Sequence, residues 1–319
     1  MKLQKKNSPR IANPSKPKSL VRFAWLSIAA ALLTIAMKTA AYFFTGSVGL
    51  LSDAIESLVN LFAAIMALAM LSVAAQPADE NHAYGHGKAE YFSSGFEGIL
   101  ILIAALSIGI TAGQRLLAPL PLQEIGLGLG ISAAAAFVNL IVALILFRAA
   151  KKYHSITLEA DAHHLMTDVW TSLGVIVGVG GVVLTGKLWI DPVIAILVAL
   201  HIIWAAIGIL RKSISGLMDS SLPAEERNKI IAILDTYLAQ GVHYHALRTR
   251  QSGAMQYVSF HVLVPGEWTV LVGHQLLERM EHDLRTALPR AIIFTHLEAL
   301  EDPASWDEEL ELTQRYPLM

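Results

Sequence analysis

Six long apolar stretches constrain this chain more than any other feature. They lie near Val21–Phe44, Val48–Ala74, Tyr91–Leu117, Glu124–Phe147, Leu158–Leu184 and Ile190–Leu210. Each is close to the ~20 residues that an α-helix needs to cross the hydrocarbon core of a bilayer. Of the 319 residues, 54% are hydrophobic and only 16% are charged, whereas charged residues make up about 25% of an ordinary soluble domain. The links are short, and several carry turn residues: Thr45-Gly-Ser47, Pro119-Leu-Pro121 and Gly186-Lys-Leu188. Residues 20–212 therefore read as an all-α, six-helix transmembrane bundle.

Charge sorts by side. Residues 1–19 are polar and basic, with Lys2, Lys5, Lys6, Arg10, Lys16 and Lys18. They read as a disordered tail, because no short apolar core with a small-residue cleavage site marks a signal peptide. That tail falls on one side of the bundle with Lys88, Arg148, Lys151, Lys152, Arg211 and Lys212, while Arg115 and Lys187 fall on the other. The positive-inside rule then puts both termini and the second and fourth links in the cytoplasm. A net charge of -2 gives no electrostatic case for nucleic acid. The absence of cysteine excludes disulfides and thiolate metal sites. A metal would be held by His, Asp, Glu, Asn or backbone oxygen, which favours zinc, cobalt, iron(II) or manganese over copper(I).

From about Ser220 the composition changes. Pro223-Ala-Glu-Glu226 opens a helix carrying Ile230, Ile233, Leu234 and Tyr237 at helical spacing, ending near Gly241. Gln256 to Val264 alternates, with Val258, Phe260, Val262 and Val264 on one face of a strand. Leu277, Met280, Leu284 and Leu288 mark a second helix. Ala291–Leu297 reads as a further strand and His245–Gln251 as another. Residues 213–300 thus form a C-terminal α+β domain on the cytoplasmic side, followed by an acidic, loose tail at 301–319.

Two spans carry the same polar pattern. In Asp161-Ala-His-His-Leu-Met-Thr-Asp168, His164 and Asp168 are one turn apart on one helix face. In Ser52-Asp-Ala-Ile-Glu-Ser-Leu-Val-Asn60, Glu56 and Asn60 are also four apart. Asp53 precedes Glu56 by three residues, as Asp161 precedes His164. Polar groups of this kind are costly in a membrane and by default mark a functional site in the bundle interior. Two helices giving two ligands each make a four-coordinate site suited to a divalent ion, with Glu56 and Asp168 neutralising its charge. The link after the second span holds Asp79, His82 and His86, a pair of histidines at i and i+4 beside a carboxylate, which suits a second, surface site. Asp53 and Asp161 read either as an ion or proton relay or as helix-capping and inter-helix hydrogen-bonding groups.

With these residues in view, the chain resembles the cation diffusion facilitators over about residues 20–300. The resemblance is carried by Gly46-Ser-Val-Gly-Leu-Leu-Ser-Asp-Ala54, by Gln76-Pro-Ala-Asp-Glu-Asn-His-Ala-Tyr-Gly-His-Gly-Lys-Ala-Glu90, by Ala160-Asp-Ala-His-His-Leu-Met-Thr-Asp168 and by Leu247-Arg-Thr-Arg-Gln-Ser-Gly253. It implies a homodimeric, proton-coupled exporter of divalent metals with six spans and an αββαβ, ferredoxin-like cytoplasmic domain, in a bacterial inner membrane. It implies a transport site at Glu56, Asn60, His164 and Asp168 and a loop site at Asp79, His82 and His86. It further implies a regulatory site at His245, His261, His274, His296 and Glu298, and a charge pair between Lys88 and Asp219. His243 and His282 match no position with a role. The second span departs from the common zinc pattern of Asp or His followed by Asp: Asn60 offers a neutral amide oxygen. Zinc leads as the expected metal, with iron(II), cobalt, cadmium and manganese as alternatives.

The expected mechanism is alternating access, with metal and proton competing for His164, since an unperturbed imidazole titrates near ~6.5. Two other classes compete. A membrane metalloenzyme needs a general base beside its metal, such as His-Glu-x-x-His on a helix, and that sequence does not occur here. A non-transporting metal sensor has no use for Glu56 and Asn60 spaced to match His164 and Asp168.

Overall fold

The computed structural model describes residues 18–45, 48–118 and 127–306; the side chains of 44–56 are outside the described set. Most of the basic tail and the end of the acidic one lie outside it too. The described residues form two compact units that divide after Leu217.

The first unit is six long helices: α1 (Lys18–Thr45), α2 (Val48–Ala74), α3 (Ala89–Leu117), α4 (Leu127–Tyr153), α5 (Ile156–Thr185) and α6 (Ile190–Leu217). All six contain an apolar run long enough to span a membrane. Side chains such as Trp25, Phe62, Phe92, Ile110, Phe137 and Trp204 point outward and are exposed, as a lipid-facing surface requires. The polar residues Asn60, Glu97, Asn139, Asp161 and His164 are buried. Because lipid tails are as apolar as the helix surfaces, such helices associate through close packing and interhelical hydrogen bonds. The α3–α6 seam uses both. Ser94 and Ser213 share a hydrogen bond of 2.6 Å, and Gly216 lies so close to Tyr91 that a Cβ there would stand 2.2 Å from its ring. A second cluster joins Ala24 of α1, Leu71 of α2, Leu146 of α4 and Leu165 of α5.

Local signals set the helix ends. Ser155 caps α5 by accepting from the Leu158 N–H, and Gly186 ends it in the left-handed region at φ 73°. Helices outrun their apolar stretches at the basic end of the bundle: α6 continues past Leu210 to Leu217, α4 past Phe147 to Tyr153, and α5 begins before Leu158. Hydropathy marks where lipid ends and not where the helix ends. Arg211 and Lys212 are good helix formers, and Lys212 gains a partner in Glu159 of α5 at 2.5 Å.

The second unit has the order α7 (Ala224–Asp235), β1 (His243–Ser252), β2 (Met255–Val264), α8 (Val270–Ala287), β3 (Ala291–Ala299). The sheet runs β1-β2-β3, antiparallel between β1 and β2 and parallel between β2 and β3. This is the expected αββαβ arrangement. The α7 region closes through a 3₁₀ turn at Leu238–Gln240 and Gly241 at φ 74°. Val258, Phe260, Val262 and Val264 bury one face of β2 against Ile230 and Leu234 of α7 and Leu276, Met280 and Leu284 of α8. Alternation then puts His261 on the opposite face. The first residues of the 301–319 tail are ordered onto this unit: Trp306 donates its indole N–H to the Leu300 carbonyl at 3.1 Å.

Candidate metal sites

Inside the first unit, α2 and α5 bring three of the four expected intramembrane ligands together. The Asn60 amide sits between the other two. Its Oδ1 is 2.7 Å from His164 Nε2, and its Nδ2 donates to Asp168 Oδ2 at 2.5 Å. With Oδ1 as acceptor, the imidazole donates from Nε2. An amide has both an acceptor and a donor end, so one side chain can satisfy an imidazole and a carboxylate at once. A carboxylate at position 60 could not, since it would face Asp168 with like charge. Glu56 lies on α2 one turn before Asn60, but its side chain, like that of Asp53, is outside the described residues. Asp161 points elsewhere: its Oδ1 accepts from Ser27 of α1 at 2.9 Å.

The link between α2 and α3 folds around Asp79. Its Oδ1 accepts from the backbone N–H groups of His82, at 2.7 Å, and Asn81, at 3.0 Å. The His82 N–H contributes most to holding this carboxyl below its usual range. His82 Nδ1 is 3.2 Å from Asp79 Oδ1 and His86 Nε2 is 3.4 Å from Oδ2, and the two imidazoles are 3.1 Å apart. The three donor atoms lie within 4.8 Å of one another, a spacing that one ion could bridge.

The sheet builds a third group by register. His245 on β1 is opposite His261 on β2, and His261 is opposite His296 on β3. One row of the sheet therefore carries three imidazoles on one face, and Glu298, two residues after His296, shares that face. Glu298 is the hub. Its Oε2 accepts from His245 Nε2 at 2.8 Å, and its Oε1 is 3.1 Å from His261 Nδ1 and 3.6 Å from His296 Nε2. His245, His261 and Glu298 bring donor atoms within 4.8 Å of one another. The His245 side chain is only 4% exposed, that of His296 67%, so the row runs from the interior to water. His274 is outside this set: it lies on α8, 4.0 Å from Glu278. A bulge between His245 and Arg248, with Ala246 at φ 51°, resets β1 beyond the row. Lys88 donates to the Leu217 carbonyl at 3.2 Å, and Asp219 accepts from Arg250 at 3.1 Å.

Comparison with known proteins agrees over nearly the whole chain. Residues 24–218 match the cation efflux transmembrane domain family, and residues 222–300 match the cation efflux protein cytoplasmic domain family. The chain belongs to the cation efflux family. As a cation diffusion facilitator it is a multi-pass membrane transporter of cations. An uncharacterized transporter of Synechocystis sp. is 51% identical over 296 residues, covering 93% of this chain and 96% of the relative. The cation-efflux pump FieF of Yersinia pestis is 31% identical over 286 residues, 89% and 93% of the two chains.

In this facilitator one residue at the intramembrane site escapes the sequence pattern. Asn139 of α4 donates its Nδ2 to Asp168 Oδ2 at 2.8 Å. It is buried, and its Oδ1 has no partner among the described residues. Asp168 therefore accepts from two amides on two different helices, which fixes the direction of its carboxylate. The search for pairs one turn apart passes over a lone asparagine. The signal was its position: a single polar side chain in the apolar run Ala133-Ala-Ala-Ala-Phe-Val-Asn139, which in a span marks function by default.

Proposed function

We propose that this cation efflux transporter exports a divalent transition metal from the cytoplasm in exchange for protons, with zinc the leading substrate. The ion is carried by Glu56, Asn60, His164 and Asp168. One observation carries this reading: an imidazole, a carboxylate and an amide from two spans meet in the bundle interior. Such a set suits a borderline divalent ion. A deprotonated imidazole ligand makes binding sensitive to pH, so an incoming proton displaces the metal. Alternating access follows if α2 and α5 move with the site between two bundle arrangements. The basic residues on the α2–α3 link and at the end of α4 support cytoplasmic termini, and the resemblance supports a bacterial inner membrane. Asp79, His82 and His86, and separately His245, His261 and Glu298 with His296 beside them and His274 on α8, hold further metal ions. The match to the family's cytoplasmic domain supports a homodimer in which metal on the second unit biases transport.

Asn60 also favours a second reading of the substrate. A neutral amide oxygen is a weaker zinc ligand than a carboxylate, so iron(II), cobalt, cadmium or manganese could be the preferred ion. Uptake of zinc, iron(II), cobalt and manganese into proteoliposomes, with and without a proton gradient, tests both readings, with Asn60→Asp beside wild type. Zinc moving with the gradient in wild type supports the first. Preference for iron or manganese that shifts towards zinc in Asn60→Asp makes Asn60 the selectivity residue. No gradient-dependent flux of any metal overturns the exchange reading.

A further inference from the structure

Two carboxyl groups lie in the bundle without a place in the metal site. Glu97 of α3 and Asp161 of α5 are 0% and 1% exposed. Their helices pack together through a cluster that includes Ile101 and Ala105 from α3 and Ala160 from α5. Glu97 lies one turn before Ile101 and Asp161 directly follows Ala160, so both carboxyls border that cluster. Each is half satisfied by a serine. Ser93 is 3.5 Å from Glu97 Oε1, and Ser27 donates to Asp161 Oδ1 at 2.9 Å. The second oxygen of each, Glu97 Oε2 and Asp161 Oδ2, is buried and has no hydrogen-bond partner among the described residues.

The surroundings decide what such a pair can hold. Among the described residues α1 presents Ser27, α3 presents Ser93, and α6 presents Ile202, Ala206 and Ile209 to the adjoining cluster. The next titratable groups along α5 are His163, whose ring packs edge-on against Phe147, and His164, one turn on. No lysine or arginine among the described residues pairs with either carboxyl. An unpaired charge in such an interior costs several kcal/mol, at about that order per ion, and two carboxylates sharing a site do not both ionise. A metal ion would want more ligands, and no third His, Asp or Glu joins them among the described residues. The serine hydroxyls approach as donors.

We propose that Glu97 and Asp161 form a proton-binding pair that holds one proton between α3 and α5, apart from the metal ligands. The proton enters from water, sits on Glu97 Oε2 or Asp161 Oδ2, and leaves to water; no other bond changes. Because Asp161 and His164 are one turn apart on α5, proton occupancy and metal occupancy act on the same helix. The use of the pair in transport rests on the proton-exchange reading above; the binding of the proton does not.

Infrared spectra of the metal-free, full-length protein at neutral pH test it. Wild type is expected to show a neutral carboxylic acid band, and the pH at which it disappears should fall in both E97Q and D161N, since each substitution removes the like charge beside the other group. A titration left unshifted in both variants overturns the pair, and so does the absence of the band from wild type. If those variants fail to fold, Ser27→Ala keeps both carboxyls and should shift the pH at which the band disappears; an unshifted titration overturns the proposal. In proteoliposomes the ratio of metal flux with and without a proton gradient should fall towards unity in E97Q. A ratio equal to that of a gradient-dependent wild type overturns the coupling. Where wild type itself ignores the gradient, the exchange reading fails and the infrared result alone decides the pair.

Discussion

On α5, His164 and Asp168 are one turn apart, and a single helix aims both at one point, where the Asn60 amide of α2 meets them. On the sheet, His245, His261 and His296 come from three strands far apart in the chain and meet because the register sets them in one row. The two groups also differ in what joins their ligands. An amide bridges imidazole and carboxylate in the bundle, so the interior set is held together without like charges in contact. A carboxylate, Glu298, gathers the imidazoles of the sheet, and its row opens to water at His296. The first arrangement suits a site that must pass through an ion-free state within lipid; the second suits one that equilibrates with the surrounding solution. Substitutions that treat the two groups alike should therefore have unlike effects.

The largest effect is expected at Asp168. Asp168→Ala removes the carboxylate that two amides orient and a ligand of the proposed transport site, and metal flux in proteoliposomes should drop to that of empty vesicles. Circular dichroism and thermal unfolding should show a folded bundle, because packing in the clusters around α5 is untouched. Flux at the wild-type rate would sink the interior site.

His261→Ala with Glu298→Ala should separate the regions. The sheet then loses its central imidazole and its hub. Metal bound by the purified full-length protein at that site should weaken by at least about 10–100-fold, the range that even outer partners of ligands command. Flux should persist, with weaker dependence on metal concentration. If a folded double variant carries no metal at all, the sheet group does more than regulate and the contrast drawn above breaks down.

Asn139→Ala should have an intermediate effect, because Asn139 works through Asp168. Losing this orienting donor is expected to cost about 10–100-fold in metal affinity or flux. Asn139→Ser, which keeps a donor, should recover part of it. An affinity unchanged in Asn139→Ala would show that the carboxylate is held without Asn139.

The same contrast explains what was legible in the sequence. A helix repeats every 3.6 residues, so a turn of spacing already says that His164 and Asp168 share a face. The six spans, the αββαβ order and the Asp79–His82–His86 turn are local patterns of that kind. Register is not local. The bulge at Ala246 shifts β1 relative to β2, and nothing in His-Tyr-His-Ala-Leu-Arg announces it, so only the resemblance pointed to His245, His261, His296 and Glu298. His274 shows that positions carried over by resemblance need not share one row: on α8 it lies 4.0 Å from Glu278. Asn139 escapes the pattern because it has no partner on its own helix, and α6 runs beyond its apolar stretch because hydropathy ends before the helix does.

The smallest expected effect tests how firmly the start of the row is anchored. Tyr244 precedes His245 on β1, and its hydroxyl donates to Asp235 at the end of α7 at 2.6 Å. Burial first, then that hydrogen bond and the Asp235 charge, push its phenol up to about 12. Tyr237, which donates to Asp283 at 2.6 Å, is likewise pushed up to about 12. A folded-state value above the ordinary ~10 means that the stabilisation is whole below ~10 and is lost as pH rises through about 12. Ultraviolet titration of the full-length protein should show these two phenols ionising after ordinary surface tyrosines, and Tyr244→Phe should remove one late step. At neutral pH the same variant should lose about 1 kcal/mol, the net worth of one such hydrogen bond. Metal affinity at His245 should change less than in the substitutions above, because the strand stays paired to β2 on its other side. A Tyr244→Phe titration that superimposes on wild type would mean that Asp235 does not hold the hydroxyl, and that β1 is positioned by its pairing with β2 alone.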